Sequence, residues 1–181
     1  MKHPVCTLIV IGGAVAAASP ALASKKGWSD ASDVGAYGLM AASIGVPAIQ
    51  KDGKGALQAA GSLAAVSLIT EGMKEAFPEW RPDRSDRKSF PSGHTSRSFA
   101  AAATLYNRNG KSIGIPAMVV ASFVGVARVQ ADKHHWHDVA VGASLGLATG
   151  FLITSKKEDA RTALVPWGDT KGGGVSFAMR F

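Results

Sequence analysis

Cysteine is nearly absent: the 181-residue chain has one, Cys6, close to its start. A single thiol has no internal disulfide partner, so neither a disulfide scaffold nor a two-cysteine redox centre is available. Acidic residues are scarce beside basic ones, 13 against 20, which leaves a net charge of +7. That balance suits an anionic partner, whether nucleic acid, anionic lipid or a phosphorylated compound. Nucleic acid is set aside, because the basic residues are dispersed and no aromatic-interleaved basic strand or DNA-reading spacing occurs. Long alternation of apolar and polar residues is missing before residue 162, which favours helix over strand. The apolar segments run about 15 to 18 residues, short of the roughly 20 that span a bilayer.

What is present begins with an export pattern. Lys2 and His3 precede an apolar stretch, Val5 to Ala18, and Ala21-Leu22-Ala23 forms a small-residue cleavage site before Ser24. Residues 1–23 therefore read as a signal peptide, or as an uncleaved first membrane helix. Length predicts one domain after it. Residues 24–161 are expected to form an all-α domain, an antiparallel bundle of about five core helices. The expected helices are 34–50, 55–76, 94–106, 112–128 and 138–154, with Ser32 or Asp33 capping the first. Phe77 to Phe90, with its prolines and arginines, reads as an irregular loop. Residues 162–181 alternate around a glycine-rich turn and predict a small C-terminal β-hairpin packed on the helices. Abundant Gly, Ala and Ser in the helices imply close helix–helix approach.

Chemistry concentrates in three places: Lys74 with Arg81-Pro82, Pro91-Ser92-Gly93-His94, and the run from Arg128 through His134 to Asp138. Short connections make consecutive helices antiparallel, so these segments should gather at one end. Lys74, Arg81 and Arg128 supply cations, and arginine matches the oxygens of a phosphate. Ser92 and Gly93 open a helix, where free N–H groups favour an anion. This suits the equatorial oxygens of a phosphoryl-transfer transition state. His134 is then the nucleophile. Asp138 accepts its other ring N–H. His94 protonates the leaving oxygen and later activates water, so a bell-shaped pH profile is expected. The opposite end gathers Lys51, Lys54, Arg108, Lys111, Lys156, Lys157 and Arg161, as a positive-inside topology would.

The pattern Lys-x6-Arg-Pro, Pro-Ser-Gly-His and Arg-x5-His-x3-Asp resembles the three-part signature of the type 2 phosphatidic acid phosphatase superfamily. That superfamily includes class A acid phosphatases and vanadium haloperoxidases. The resemblance covers about Gly55 to Thr154 and implies an all-helical core, a phosphohistidine intermediate and no metal or other cofactor. One position departs: Ala127 stands before Arg128 where the family usually has serine, which implies weaker support of the site.

Plainer readings stand beside these. Lys74 alone would be a solvated helix end. Ser92 and Asp138 could be helix caps. Arg84, Arg87 and Lys88 read as solvated loop charges, and His135, Trp136 and His137 as packing or rim residues. A metal site at His134, His135, His137 and Asp138 is disfavoured, because no further acidic or cysteine ligand lies nearby in the chain. The expected activity is a phosphatase acting outside the cytoplasm, in the periplasm, on a phosphorylated substrate that is a lipid, with possible membrane association. Soluble esters, vanadate-dependent halide oxidation and a non-catalytic scaffold are the alternatives.

Overall fold

The computed structural model describes residues 24–156, and the backbone of 162–169 and 172–179. Among the described residues there are five helices: α1 (Lys25–Ile49), α2 (Gly53–Ala76), α3 (Gly93–Asn109), α4 (Lys111–Gln130) and α5 (Trp136–Ile153). The first starts nine residues earlier than expected. The Ser24 hydroxyl accepts the Gly27 amide at 2.9 Å and caps it. The polar turns that follow stay helical because they have tertiary partners: Trp28 meets the Phe123 ring at 6.1 Å, and Ser29 and Ser32 face Arg128. Asp33 is therefore a mid-helix residue and no cap.

α3 lies against all four other helices, and its tightest neighbour is α5. The reason is steric. Gly142, Gly146 and Gly150 repeat every fourth residue on one face of α5, so no Cβ separates the two backbones. A Cβ on Gly142 would sit 2.7 Å from the Ser92 carbonyl oxygen; one on Gly146 would meet Ser96 O, and one on Gly150 the Ala103 Cβ. Opposite them α3 offers buried Ala100 and Ala103, while Ala101 and Ala102 pack with Leu39 of α1 and Ala117 and Ala121 of α4.

Small residues fill the interior while large apolar ones face out. Leu68, Val119 and Leu152 are 76%, 64% and 83% exposed, and Val34, Ile49 and Ile115 are exposed too. Two helices, Lys111–Gln130 and Trp136–Ile153, are long and apolar enough to cross a membrane. α1 and α2, at 25 and 24 residues, exceed the short segments read from the sequence because polar residues extend them.

One end is latched. Arg108 at the close of α3 is buried and bonds the Asp52 carboxylate before α2 (Nε 3.0 Å) and the Ser155 carbonyl after α5 (2.8 Å). It lies at the end where the sequence groups it with Lys51, Lys54, Lys111 and Lys156, but buried and paired. Lys157 and Arg161 of that group, and the 1–23 segment, lie outside the described residues. After α5 the backbone follows two antiparallel strands, β1 (Thr162–Asp169) and β2 (Gly172–Met179). The described contacts do not include any between these strands and the helices, so the expected packing of a hairpin on the domain is not supported.

Candidate active site

The end opposite the latch collects the three sequence clusters. The loop between α2 and α3 is irregular in shape but tied down by its own backbone, with Glu79 N to Arg87 O at 3.1 Å and Ser89 N to Glu79 O at 3.0 Å. It docks on the α4–α5 connection through Asp83 N to Asp132 O at 3.2 Å. A cavity of about 180 Å³ opens there, lined by Lys74, Arg81, Gly93, His94, Arg128 and His134, and also by Glu71, Lys88 and Arg97.

Each cation is aimed by fixed partners. Lys74, at the end of α2, donates to the carbonyls of Pro91 (2.6 Å) and Lys88 (2.9 Å). Arg81 spans two segments, with Nε to Asp86 at 2.7 Å and Nη1 to the Lys133 carbonyl at 3.0 Å. Arg128 is buried; its Nη1 reaches Ser29 and Ser32 of α1 and lies 3.6 Å from Asp33. Gly93 begins α3 at the cavity wall, where a Cβ would come within 2.9 Å of Arg97 Nη2. Ser92 is different. Fully buried, its hydroxyl pairs with Thr95 Oγ1 at 2.9 Å, and it is not among the lining residues.

His134 is almost wholly buried, and its Nδ1 lies 2.8 Å from the Ser89 carbonyl oxygen. A carbonyl only accepts, so Nδ1 carries the proton and Nε2 keeps its lone pair. The sequence reading gave this role to Asp138, but Asp138 Oδ2 stands 3.6 Å from Nδ1, beyond hydrogen-bond reach. Asp138 instead takes the Ser89 hydroxyl at 2.6 Å and the His135 amide at 2.8 Å, which also caps α5. It acts on the ring as a nearby charge. Burial pushes the His134 imidazole down from 6.5 to about 4; Asp138 opposes this, and Arg81, Arg128 and Lys74 add to it. His94 Nε2 pairs with Asp33 at 2.9 Å, and the Tyr37 ring meets its edge.

Sequence reasoning missed Asp33, Ser89 and Arg97. Ser89 lies next to the Pro91-Ser92-Gly93-His94 cluster, so adjacency was its only signal. Arg97, one turn beyond His94 on α3, could have been found from helical spacing. Asp33 had no signal, for it acts from a helix remote in sequence. Of the loop charges read as solvated, Lys88 pairs with Glu75 at 3.0 Å and lines the cavity, while Arg87 covers the Trp80 ring.

The chain is similar to several proteins named as phosphatases. The chain is 29% identical over 141 residues to a lipid A 4'-phosphatase of Helicobacter pylori, covering 67% of this chain and 71% of that protein. It is 32% identical over 93 residues to a lipid A 1-phosphatase of Porphyromonas gingivalis, half of this chain but only 21% of that protein. With lipid phosphate phosphatase 2 of Arabidopsis thaliana it shares 41% identity over 95 residues, 45% of this chain and 31% of the plant protein. The chain thus spans from 21% to 71% of the length of these relatives. In fold it is similar to Aquifex aeolicus LpxE, with a TM-score of 0.63 and 22% identity over 76% of this chain and 87% of that one. It is also similar to a transmembrane PAP2-type phosphatidylglycerolphosphate phosphatase from Bacillus subtilis, with a TM-score of 0.57 and 27% identity over 71% and 74% of the two chains. The PAP2 superfamily profile matches residues 55–161, which takes in every one of the three clusters, and the chain belongs to that superfamily.

Proposed function

We propose that the protein is a membrane-embedded phosphatase that removes a phosphate group from a lipid. The observation that carries this is the pairing of His134 Nδ1 with the Ser89 carbonyl, which leaves Nε2 as a lone-pair nucleophile in a cavity lined by Lys74, Arg81 and Arg128. Nε2 attacks phosphorus, the P–O bond to the lipid breaks, and a phosphohistidine forms. The cations and the Gly93 end of α3 hold the equatorial oxygens. His94 gives its proton to the leaving oxygen in place of Asp33, then takes one from the water that releases phosphate. Asp138 stabilises the positive ring. No metal enters this scheme.

The lipid part of the reading rests on the outward apolar faces. The apolar helix α4, with 20 residues, is about 30 Å long, enough to cross a hydrocarbon core of roughly 30 Å. Small residues inside with large ones outside is the arrangement expected where lipid surrounds the helices. The relatives, named as lipid A and lipid phosphate phosphatases, agree. Orientation with the site toward the periplasm rests on the export pattern of residues 1–23. The lysines do not decide it, since Lys25, Lys26, Arg84 and Arg87 stand at the site end.

The test is a rapid quench with a labelled phospholipid monoester in detergent micelles, followed by mapping of the label. Label on His134, and turnover well above that on a water-soluble ester, is the expected result. Label elsewhere, or equal turnover of both substrates, sinks the reading.

A further inference from the structure

A metal centre among the histidines lacked an acidic partner in the local sequence; folding supplies one. Glu79, from the loop after α2, reaches the start of α5, where its Oε1 lies 3.2 Å from His135 Nδ1 and 2.9 Å from His137 Nε2. Asp138 completes the group, with Oδ1 3.1 Å from His137 Nε2 and Oδ2 3.4 Å from His135 Nδ1. One donor atom from each of the four residues lies within 4.8 Å of the other three. A tetrahedral ion with bonds of about 2.0–2.1 Å needs its donors about 3.3 Å apart. The carboxylate–imidazole distances bracket that spacing, and no pair of the four donors is wider than 4.8 Å.

A second observation points the same way. Asp138 is fully buried, yet its Oδ1 has no hydrogen-bond partner, while Oδ2 has two. Buried carboxylate oxygens are ordinarily satisfied. As hydrogen bonds, the His137 ring reaches Glu79 and the His135 ring the Ser89 hydroxyl, and this oxygen is left without one. A cation at the centre would satisfy it together with both ring nitrogens. The His135 and His137 rings are stacked, 5.2 Å apart and 8° from parallel, so neither must turn far to present its nitrogen. His137 is more than half exposed, which leaves a path for an ion.

We propose that Glu79, His135, His137 and Asp138 form a binding site for a divalent transition-metal cation of the zinc type. The two imidazoles select this class over calcium or magnesium, which prefer all-oxygen sets. The ion would tie the α2–α3 loop to the start of α5 behind His134. Phosphoryl transfer does not pass through the ion, but Asp138 is shared with the phosphatase reading, so the test reads Zn²⁺ binding and not turnover.

The experiment uses the full, untagged chain in detergent, stripped with a chelator and given Zn²⁺ alone. One equivalent retained after desalting and a raised Tm are expected, and Co²⁺ should show the intense visible bands of tetrahedral coordination. Glu79→Gln and His137→Ala should each weaken Zn²⁺ binding at least tenfold and abolish the Tm rise, with unchanged far-ultraviolet circular dichroism. A wild-type chain that retains no stoichiometric Zn²⁺ overturns the proposal. So does retention at wild-type strength in both folded variants, which would mark the metal as bound elsewhere.

Discussion

The Ser89 carbonyl lies 2.8 Å from His134 Nδ1, and the Ser89 hydroxyl 2.6 Å from Asp138. One residue thus sets the tautomer of the histidine and holds the carboxylate beside it. In a histidine–aspartate pair with direct contact, changing the aspartate to asparagine costs about 10⁴ in kcat through the wrong tautomer. Here a backbone carbonyl fixes the tautomer, so Asp138→Asn should cost only about 10²-fold. His134→Ala should remove at least about 10³-fold. Phosphatase kinetics on both variants check this; equal losses would mean that Asp138 does contact the ring in the working enzyme.

The pH profile follows from burial of the same ring. His134 falls from 6.5 to about 4, so it is neutral and nucleophilic far into the acid range. The acid limb of kcat/KM should therefore lie near pH 4 to 5, below where an ordinary histidine would place it. Stability follows the same sign. The unfolded ring binds a proton more readily than the folded one, so the His134 contribution is complete above about 6.5 and is lost as pH falls toward 4. A pH series of kcat/KM and of Tm measures both; an acid limb at 6.5 would contradict the burial argument.

Asp33 holds two members of the site at once, His94 at 2.9 Å and Arg128 at 3.6 Å. Asp33→Asn keeps the shape and removes the charge. It should lower kcat about 10- to 100-fold with a smaller change in KM, since it orients groups and does not touch phosphate. Steady-state kinetics decide it; a KM effect alone would mean that Asp33 only tunes substrate binding.

Gly146 faces the backbone of α3 with no room for a side chain. Gly146→Val should separate α3 from α5 and cost at least about 1–3 kcal/mol, read as a lower Tm in detergent. Because Ser92 N bonds Asp138 O across the same contact, activity should fall with it.

Much of this was legible because motif offsets place residues at helix ends. Lys74, Arg81, Gly93, His94, Arg128 and His134 could be read as neighbours from up-and-down counting, and they line one cavity. Ser92 and Asp138 share those motifs yet sit behind the wall, since offset along a chain says nothing of where a side chain turns. Asp33 and Glu79 were illegible for another reason: their partners lie about 60 residues away. The start of α1 was misplaced because Ser29 and Ser32 look like loop residues until Arg128 is seen opposite them. Composition announced close helix packing, but not that the large side chains would face outward.

Arg108 joins the turn before α2, the end of α3 and the chain leaving α5 in one buried knot. Three helices are pinned together there, while at the far extremity Glu71 and Lys88 line the cavity beside the cations. A buried arginine therefore rivets each extremity of the helices, Arg108 at one and Arg128 at the other, and neither is left to splay.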